Sequence, residues 1–215
     1  MSFREEPLVV RVYVLAVSIA GIIFLYYHLP PRELIFSDFL YFVLLHILFE
    51  QMDVPLPQGG GSVSVNCAVD LALIILFGPE AAAWACLSTL IHIKSFKNLK
   101  GNWYKMLFNA AQIAISVGLA GHAFMLCGGT VGSINMPGDI LPILVSVSVS
   151  FMCNIFLSMV AISLSSRKSF IGVWVTSIRW GVPNYLGTAP LGLLIAGVYL
   201  NVGIIGVLLL IIPLM

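Results

Sequence analysis

Charge is what this 215-residue sequence has least of. Asp, Glu, Lys and Arg make up 9% of it, against about 25% in soluble domains. That deficit excludes a water-exposed globule of this size. Ten Lys/Arg against nine Asp/Glu leave a net charge of only +1, so there is no basic excess to attract nucleic acid. Local catalytic signatures are missing as well: no G-x-S-x-G elbow, no Walker lysine loop and no H-E-x-x-H. The sequence therefore predicts no enzyme. Four cysteines (Cys67, Cys86, Cys127, Cys153) lie in apolar stretches without a C-x-x-C pair, which reads as small buried hydrophobes rather than ligands. No two histidines share a zinc-like spacing. Neither a metal nor a cofactor is expected.

What is abundant is apolar mass. Hydrophobic residues reach 60%, with a mean hydropathy of +1.06. A helix needs about 20 apolar residues to cross some 30 Å of hydrocarbon, and shorter stretches must be tilted, broken or sheltered by protein. Eight apolar segments are present: 8–29, 34–50, 63–77, 81–93, 107–126, 140–164, 185–200 and 202–215. A Trp-rich stretch, 170–180, carries Arg179 and is set off from the next segment by Pro183. The fold class predicted is all-α, a polytopic helical membrane bundle of about 6–8 transmembrane segments, some short or broken. The whole chain, 1–215, is expected to form one integral membrane domain with the lipid bilayer as its main partner. The first apolar run is long and lacks a small-residue cleavage pattern, so it reads as a retained span.

Basic residues orient the bundle. Lys94, Lys97, Lys100 and Lys105 cluster around one loop and Arg167-Lys168 mark another, while loop 128–138 has no Lys or Arg. The positive-inside rule places the first two loops in the cytoplasm and the third outside. Eight crossings satisfy all three and leave both termini cytoplasmic. Two alternating patterns look strand-like. The one at 145–150 lies inside a long apolar run and reads as helix, because a lone strand in lipid leaves its backbone unpaired. The other, Ser62-Val63-Ser64-Val65 after Gly59-Gly60-Gly61, fits an extended approach or a helix start. Gly78-Pro79 marks a tight turn, with Glu80 in the first turn of the helix that follows.

Ionisable and amide side chains inside apolar segments are the candidate functional residues, since polar groups at membrane depth are costly. Asp70 stands mid-segment, one helical turn after Asn66, so the two share a face. They either hydrogen-bond a neighbouring helix or line a polar cavity for a small molecule or cation. Asn109, Gln112, Asn154, Arg179 and Asn184 complete the candidate ligand-binding set, with Arg179 as the opposite charge available to Asp70. His46 and Glu50 also share a face, but toward a helix end where water is near. Alanine and glycine pairs at i,i+4 (Ala81/Ala85, Ala114/Gly118) predict close helix contact.

Two stretches carry a family resemblance. One is Val54-Pro-Leu-Pro-Gln-Gly-Gly-Gly-Ser-Val-Ser-Val-Asn, running into Ala68-Val-Asp-Leu-Ala and Phe77-Gly-Pro-Glu-Ala-Ala-Ala-Trp. The other is Asn184-Tyr-Leu-Gly-Thr-Ala-Pro-Leu-Gly, with the final run from Gly203 to Leu214. Together they resemble the N-terminal membrane-associated sensor (MASE-type) region of bacterial signalling proteins. The resemblance implies an inner-membrane sensor for cyclic-dinucleotide signalling. In that family a cytoplasmic HD-GYP phosphodiesterase or GGDEF cyclase domain follows the last span and provides dimer contacts. No such domain lies within these 215 residues, and the apolar ending fits a chain that continues into one. The short span, Gly-Pro turn and Ala-rich helix also look like the substrate-binding membrane component of an energy-coupling vitamin transporter, which is the alternative.

Overall fold

The computed structural model describes residues 3–31, 34–52, 54–55, 62–63, 65–91, 99–166 and 169–212. The triple glycine 59–61, His92, Lys94, Lys97 and the Arg167-Lys168 pair lie outside them. The described residues form seven α-helices: α1 (Leu8–Tyr27), α2 (Phe36–Glu50), α3 (Cys67–Ala85), α4 (Leu99–Leu126), α5 (Ile140–Ser166), α6 (Phe170–Val202) and α7 (Ile204–Ile211). A short 3-10 stretch, Cys86–Leu90, extends α3. Between α2 and α3, β1 (Val54–Pro55) pairs antiparallel with β2 (Ser62–Val63), opposing Val54 to Val63. The open reading of the 62–65 pattern thus resolves to a two-residue strand at 62–63. The alternating serines and valines of 145–150 are helical, within α5.

Among the described residues five stretches are long and apolar enough to cross a membrane, but one of them does not run straight. Within α3, Gly78 has φ 87 and ψ 175, a conformation outside the helical region. Asp70 Oδ1 and Cys86 Sγ are nevertheless 3.6 Å apart, where a continuous helix would separate the two residues by about 24 Å. The chain therefore reverses at Gly78-Pro79. α3 is a helical hairpin whose first arm ends at Phe77 and whose second continues through Cys86–Leu90. Each arm is about 16 Å long, roughly half the hydrocarbon thickness. Such half-length arms are stable at membrane depth only when wrapped in protein. Ala68, Val69, Ala72, Leu73, Ala81, Ala82 and Ala83 are all fully buried, as this requires.

Of the remaining long helices, α4 and α6 pack against the hairpin, α1 packs against α4, and α5 packs against α4 and α6. Glu6 accepts hydrogen bonds from Tyr104 Oη (2.7 Å) and Ser165 Oγ (3.3 Å), so the N-terminal segment, the start of α4 and the end of α5 share one face. At the opposite face the His28 and His122 rings lie 5.1 Å apart, and Asp38 accepts a hydrogen bond from Tyr199. The hairpin tip belongs to that second face: Gly132 N–H donates to Ile75 O at 2.8 Å, within the loop joining α4 to α5. After Gly203 (φ 76) α7 folds back along α6, burying Val207 and Ile211. The loop that carries no Lys or Arg thus lies on the face opposite Lys105 and its neighbours.

The segment order read from the sequence holds, with one correction. The stretches 170–180 and 185–200 are a single 33-residue helix, α6, with Pro183 and Pro190 inside it. Proline normally breaks a helix in water, whereas at membrane depth neighbouring helices absorb the freed carbonyls. Small residues set the close packing. A Cβ added to Gly121 would lie 2.7 Å from Pro79 Cα, and one on Gly118 would lie 3.3 Å from Ala83 Cβ. Glycines on α4 therefore let the second hairpin arm lie directly against it.

Candidate functional site

The hairpin reversal places the two arms side by side and α2 against both. At their meeting point lies a run of polar side chains in otherwise apolar packing. His46 of α2 is fully buried, and its Nε2 lies 3.0 Å from Asp70 Oδ1 on the first arm. Its Nδ1 lies 2.6 Å from Ser88 Oγ on the second. With Nε2–H donating to the carboxylate, Nδ1 is left to accept from the Ser88 hydroxyl. Asn66 Nδ2 lies 3.2 Å from the same Nδ1 and donates to Glu50 Oε2 at 2.8 Å. Cys86 Sγ lies 3.6 Å from Asp70 Oδ1 and 3.2 Å from Ala82 O.

The order Ser88–His46–Asp70 has the composition of a nucleophile–base–acid relay. Ser88 and Asp70 are over nine-tenths buried, and the cavity that Asp70 borders has about 10 Å³, room for about one water. A carbonyl substrate has no space there, so the triad reads as a packed polar core.

That small cavity opens on the other side of Asp70. Cys67, Ser146, Ser150, Tyr185 and Thr188 line it with apolar residues of α3, α5 and α6. Ser146 Oγ is fully buried and has no hydrogen-bond partner among the described residues. From the cavity the polar chain continues sideways. Tyr185 Oη accepts from Asn154 Nδ2 (3.2 Å), Asn154 Oδ1 from Gln112 Nε2 (3.4 Å), and Asn109 Oδ1 also from Gln112 Nε2 (3.2 Å). Asn184 faces Cys67, whose thiol lies 3.7 Å from its Oδ1.

Six of the seven residues singled out from the sequence thus gather around this cavity: Asn66 and Asp70 on the His46 side, Asn109, Gln112 and Asn154 on the Tyr185 side, and Asn184 beside Cys67. Arg179 does not. It is exposed on α6, and the partner of Asp70 is His46. The charge-inventory pairing fails because a side chain on a helix longer than the bilayer can face outward. His46 is also corrected: it is wholly enclosed by the hairpin rather than near water. Cys127 is exposed at the end of α4, against the expectation of burial. His46, Ser88 and Cys86 were not legible as a set. The signal was present, since 70 and 86 are equally far from Gly78, and folding the sequence about that glycine superposes them.

At the hairpin tip a second, half-exposed group faces the other side of the bundle. Glu80 Oε1 lies 4.0 Å from His122 Nε2, and the Trp84 indole donates to His28 O at 2.9 Å. The glutamate that follows Pro79 therefore faces a histidine as well as starting a helix.

Comparison with known proteins returns one family. No curated protein and no solved structure matches the chain. The MASE9 family model matches residues 22–215, which takes in every helix from the second half of α1 onward and the entire polar path. The chain belongs to the MASE9 family of membrane-associated sensor domains.

Proposed function

We propose that this domain is the input half of a bacterial signalling protein whose output acts on a cyclic dinucleotide, and that the signal acts on the polar core around Asp70. The observation that supports this is the position of the core. It ties together α2, both hairpin arms and, through Cys67 and Thr188 (2.7 Å), α6. A small molecule that alters these contacts shifts α6, and α6 leads directly into α7. A ligand biases such an element only by the difference in its affinity for two states, and a core whose hydrogen bonds join three elements is where such a difference would act. The output domain lies beyond α7 and supplies the dimer contacts.

Asp70→Asn in the full-length protein tests this reading. Cyclic-dinucleotide turnover should change several-fold while membrane abundance and melting temperature stay near wild type. Unchanged turnover with a lower melting temperature would make Asp70 a packing residue, worth about 0.6–2 kcal/mol as an interhelical hydrogen bond.

The same proposal places the domain in the bacterial inner membrane with the lysine-bearing face and both termini in the cytoplasm. Cys127, exposed beside the loop without basic residues, provides a native probe. A membrane-impermeant maleimide should label Cys127 in intact spheroplasts. A cysteine introduced at Lys100, with Cys127 removed, should react only after permeabilisation. The reverse pattern inverts the topology.

A further inference from the structure

We propose that His46, Asp70 and Cys86 form a binding site for one divalent transition-metal ion of the zinc type. This rests on reading the polar core as the site of signal input, and it supplies the chemical class of the ligand. Metal affinity is measured on the domain without any output, so failure of the one is distinguishable from failure of the other.

One ligand atom from each of the three residues lies within 4.8 Å of the others, and all three residues are buried. Nε2 and Oδ1 are 3.0 Å apart, and Sγ and Oδ1 3.6 Å. Around a tetrahedral zinc with bonds of about 2.0 Å to N and O and 2.3 Å to S, neighbouring ligand atoms stand about 3.3–3.6 Å apart. Those two separations are within a few tenths of an ångström of the tetrahedral values, and the imidazole-to-thiol separation is within 4.8 Å. The three atoms come from α2 and from the two arms of the hairpin, so the ion would clasp the reversal.

Proton counting supports an ion. A thiol has one proton, and the shorter Cys86 contact, 3.2 Å, is to Ala82 O one turn back along its own helix. One proton cannot serve Ala82 O and Asp70 Oδ1 at once, and while it is on the first, Sγ and Oδ1 face each other at 3.6 Å without a hydrogen bond between them. A cation shared by both resolves that contact. On binding, the thiol proton leaves to solvent and Sγ bonds the metal as thiolate. The imidazole proton moves from Nε2 to Nδ1, where Ser88 Oγ, 2.6 Å away, accepts it. An outer hydrogen bond of this kind is what orients a metal-binding histidine. Imidazole, carboxylate and thiolate together suit zinc-type ions and disfavour magnesium and calcium, which take oxygen ligands. Asn66 and the half-buried Glu50 continue the polar path away from the site.

The test uses Co²⁺ as the probe on the metal-free 215-residue chain in detergent, with Cys67, Cys127 and Cys153 replaced by alanine. One Co²⁺ per chain should bind, with a thiolate-to-cobalt charge-transfer band in the near ultraviolet and tetrahedral absorption in the visible, both removed by Zn²⁺. Adding Cys86→Ser should abolish the charge-transfer band, and His46→Gln should weaken binding by at least about tenfold. Ser88→Ala, which leaves all three ligands, should keep the band at lower affinity and serves where the ligand variants fail to fold. Absence of the band in the protein that retains Cys86, or its persistence after Cys86→Ser, overturns the proposal.

Discussion

His46→Ala is expected to lower the unfolding free energy by about 3–5 kcal/mol, the cost of leaving a buried carboxylate without its main hydrogen-bond donor. The residue contacts three segments at once: Asp70 on the first hairpin arm, Ser88 on the second, and Asn66 before the hairpin. Its loss strands the Asp70 carboxylate with only the weak thiol donor of Cys86 beside it, and it opens a void that apolar neighbours fill only in part. Asp70→Asn should cost far less, because an amide oxygen still accepts from His46 Nε2. The paired variant His46→Leu/Asp70→Leu should be more stable than His46→Ala alone, since replacing both partners removes the carboxylate's desolvation cost together with its hydrogen bond. Equilibrium unfolding in mixed micelles measures all three. A His46→Ala loss below about 1 kcal/mol would mean that the contact is worth no more than an ordinary interhelical hydrogen bond.

The contrast between Asp70 and His46 shows what a sequence exposes in such a protein. Asp70 is legible because a carboxylate in the middle of an apolar run has no exit, and Asn66 one turn earlier marks the same face. Asn109, Gln112 and Asn154 are legible for the same reason. Each is a polar group whose depth follows from segment length alone. Partnership is different. Helical spacing connects residues three or four apart, whereas His46 and Asp70 are 24 apart and Cys86 follows Asp70 by 16. The reversal at Gly78 joins Asp70 to Cys86, and the packing of α2 against the first arm joins His46 to Asp70. Where periodicity was the guide, as for the Ser/Val alternation inside α5, the bilayer's demand for internal backbone pairing decided correctly for helix. Where charge inventory was the guide, as for Arg179, it failed, because opposite sign says nothing of direction. The stretches 170–180 and 185–200, separate in the sequence reading, are one helix because α6 runs through Pro183.

Gly78→Val should be the most damaging single change on the hairpin. At φ 87 and ψ 175 the backbone is in a region that essentially only glycine enters. An L side chain there costs about 1–3 kcal/mol in backbone strain before any contact is counted. Space is limited too: a Cβ at this position would sit 3.5 Å from Val131 in the facing loop, and the two γ-methyls of valine reach further into it. Relaxing φ toward negative values straightens the reversal. That draws the arms apart, and with them Asp70 from Ser88 and Cys86, so the strain is transmitted to the polar core about 12 Å away along the arm. Gly78→Ala separates the two contributions, since it carries the φ penalty with a methyl that only touches Val131. The expected order of melting temperature in detergent is wild type, then alanine, then valine. A distance probe makes the coupling visible. In the valine variant a disulfide between native Cys86 and a cysteine placed at Asp70 should form more slowly than in the same pair on the wild-type tip. Equal rates together with a lowered melting temperature would show that the tip yields locally and that the hairpin does not carry strain to its polar base.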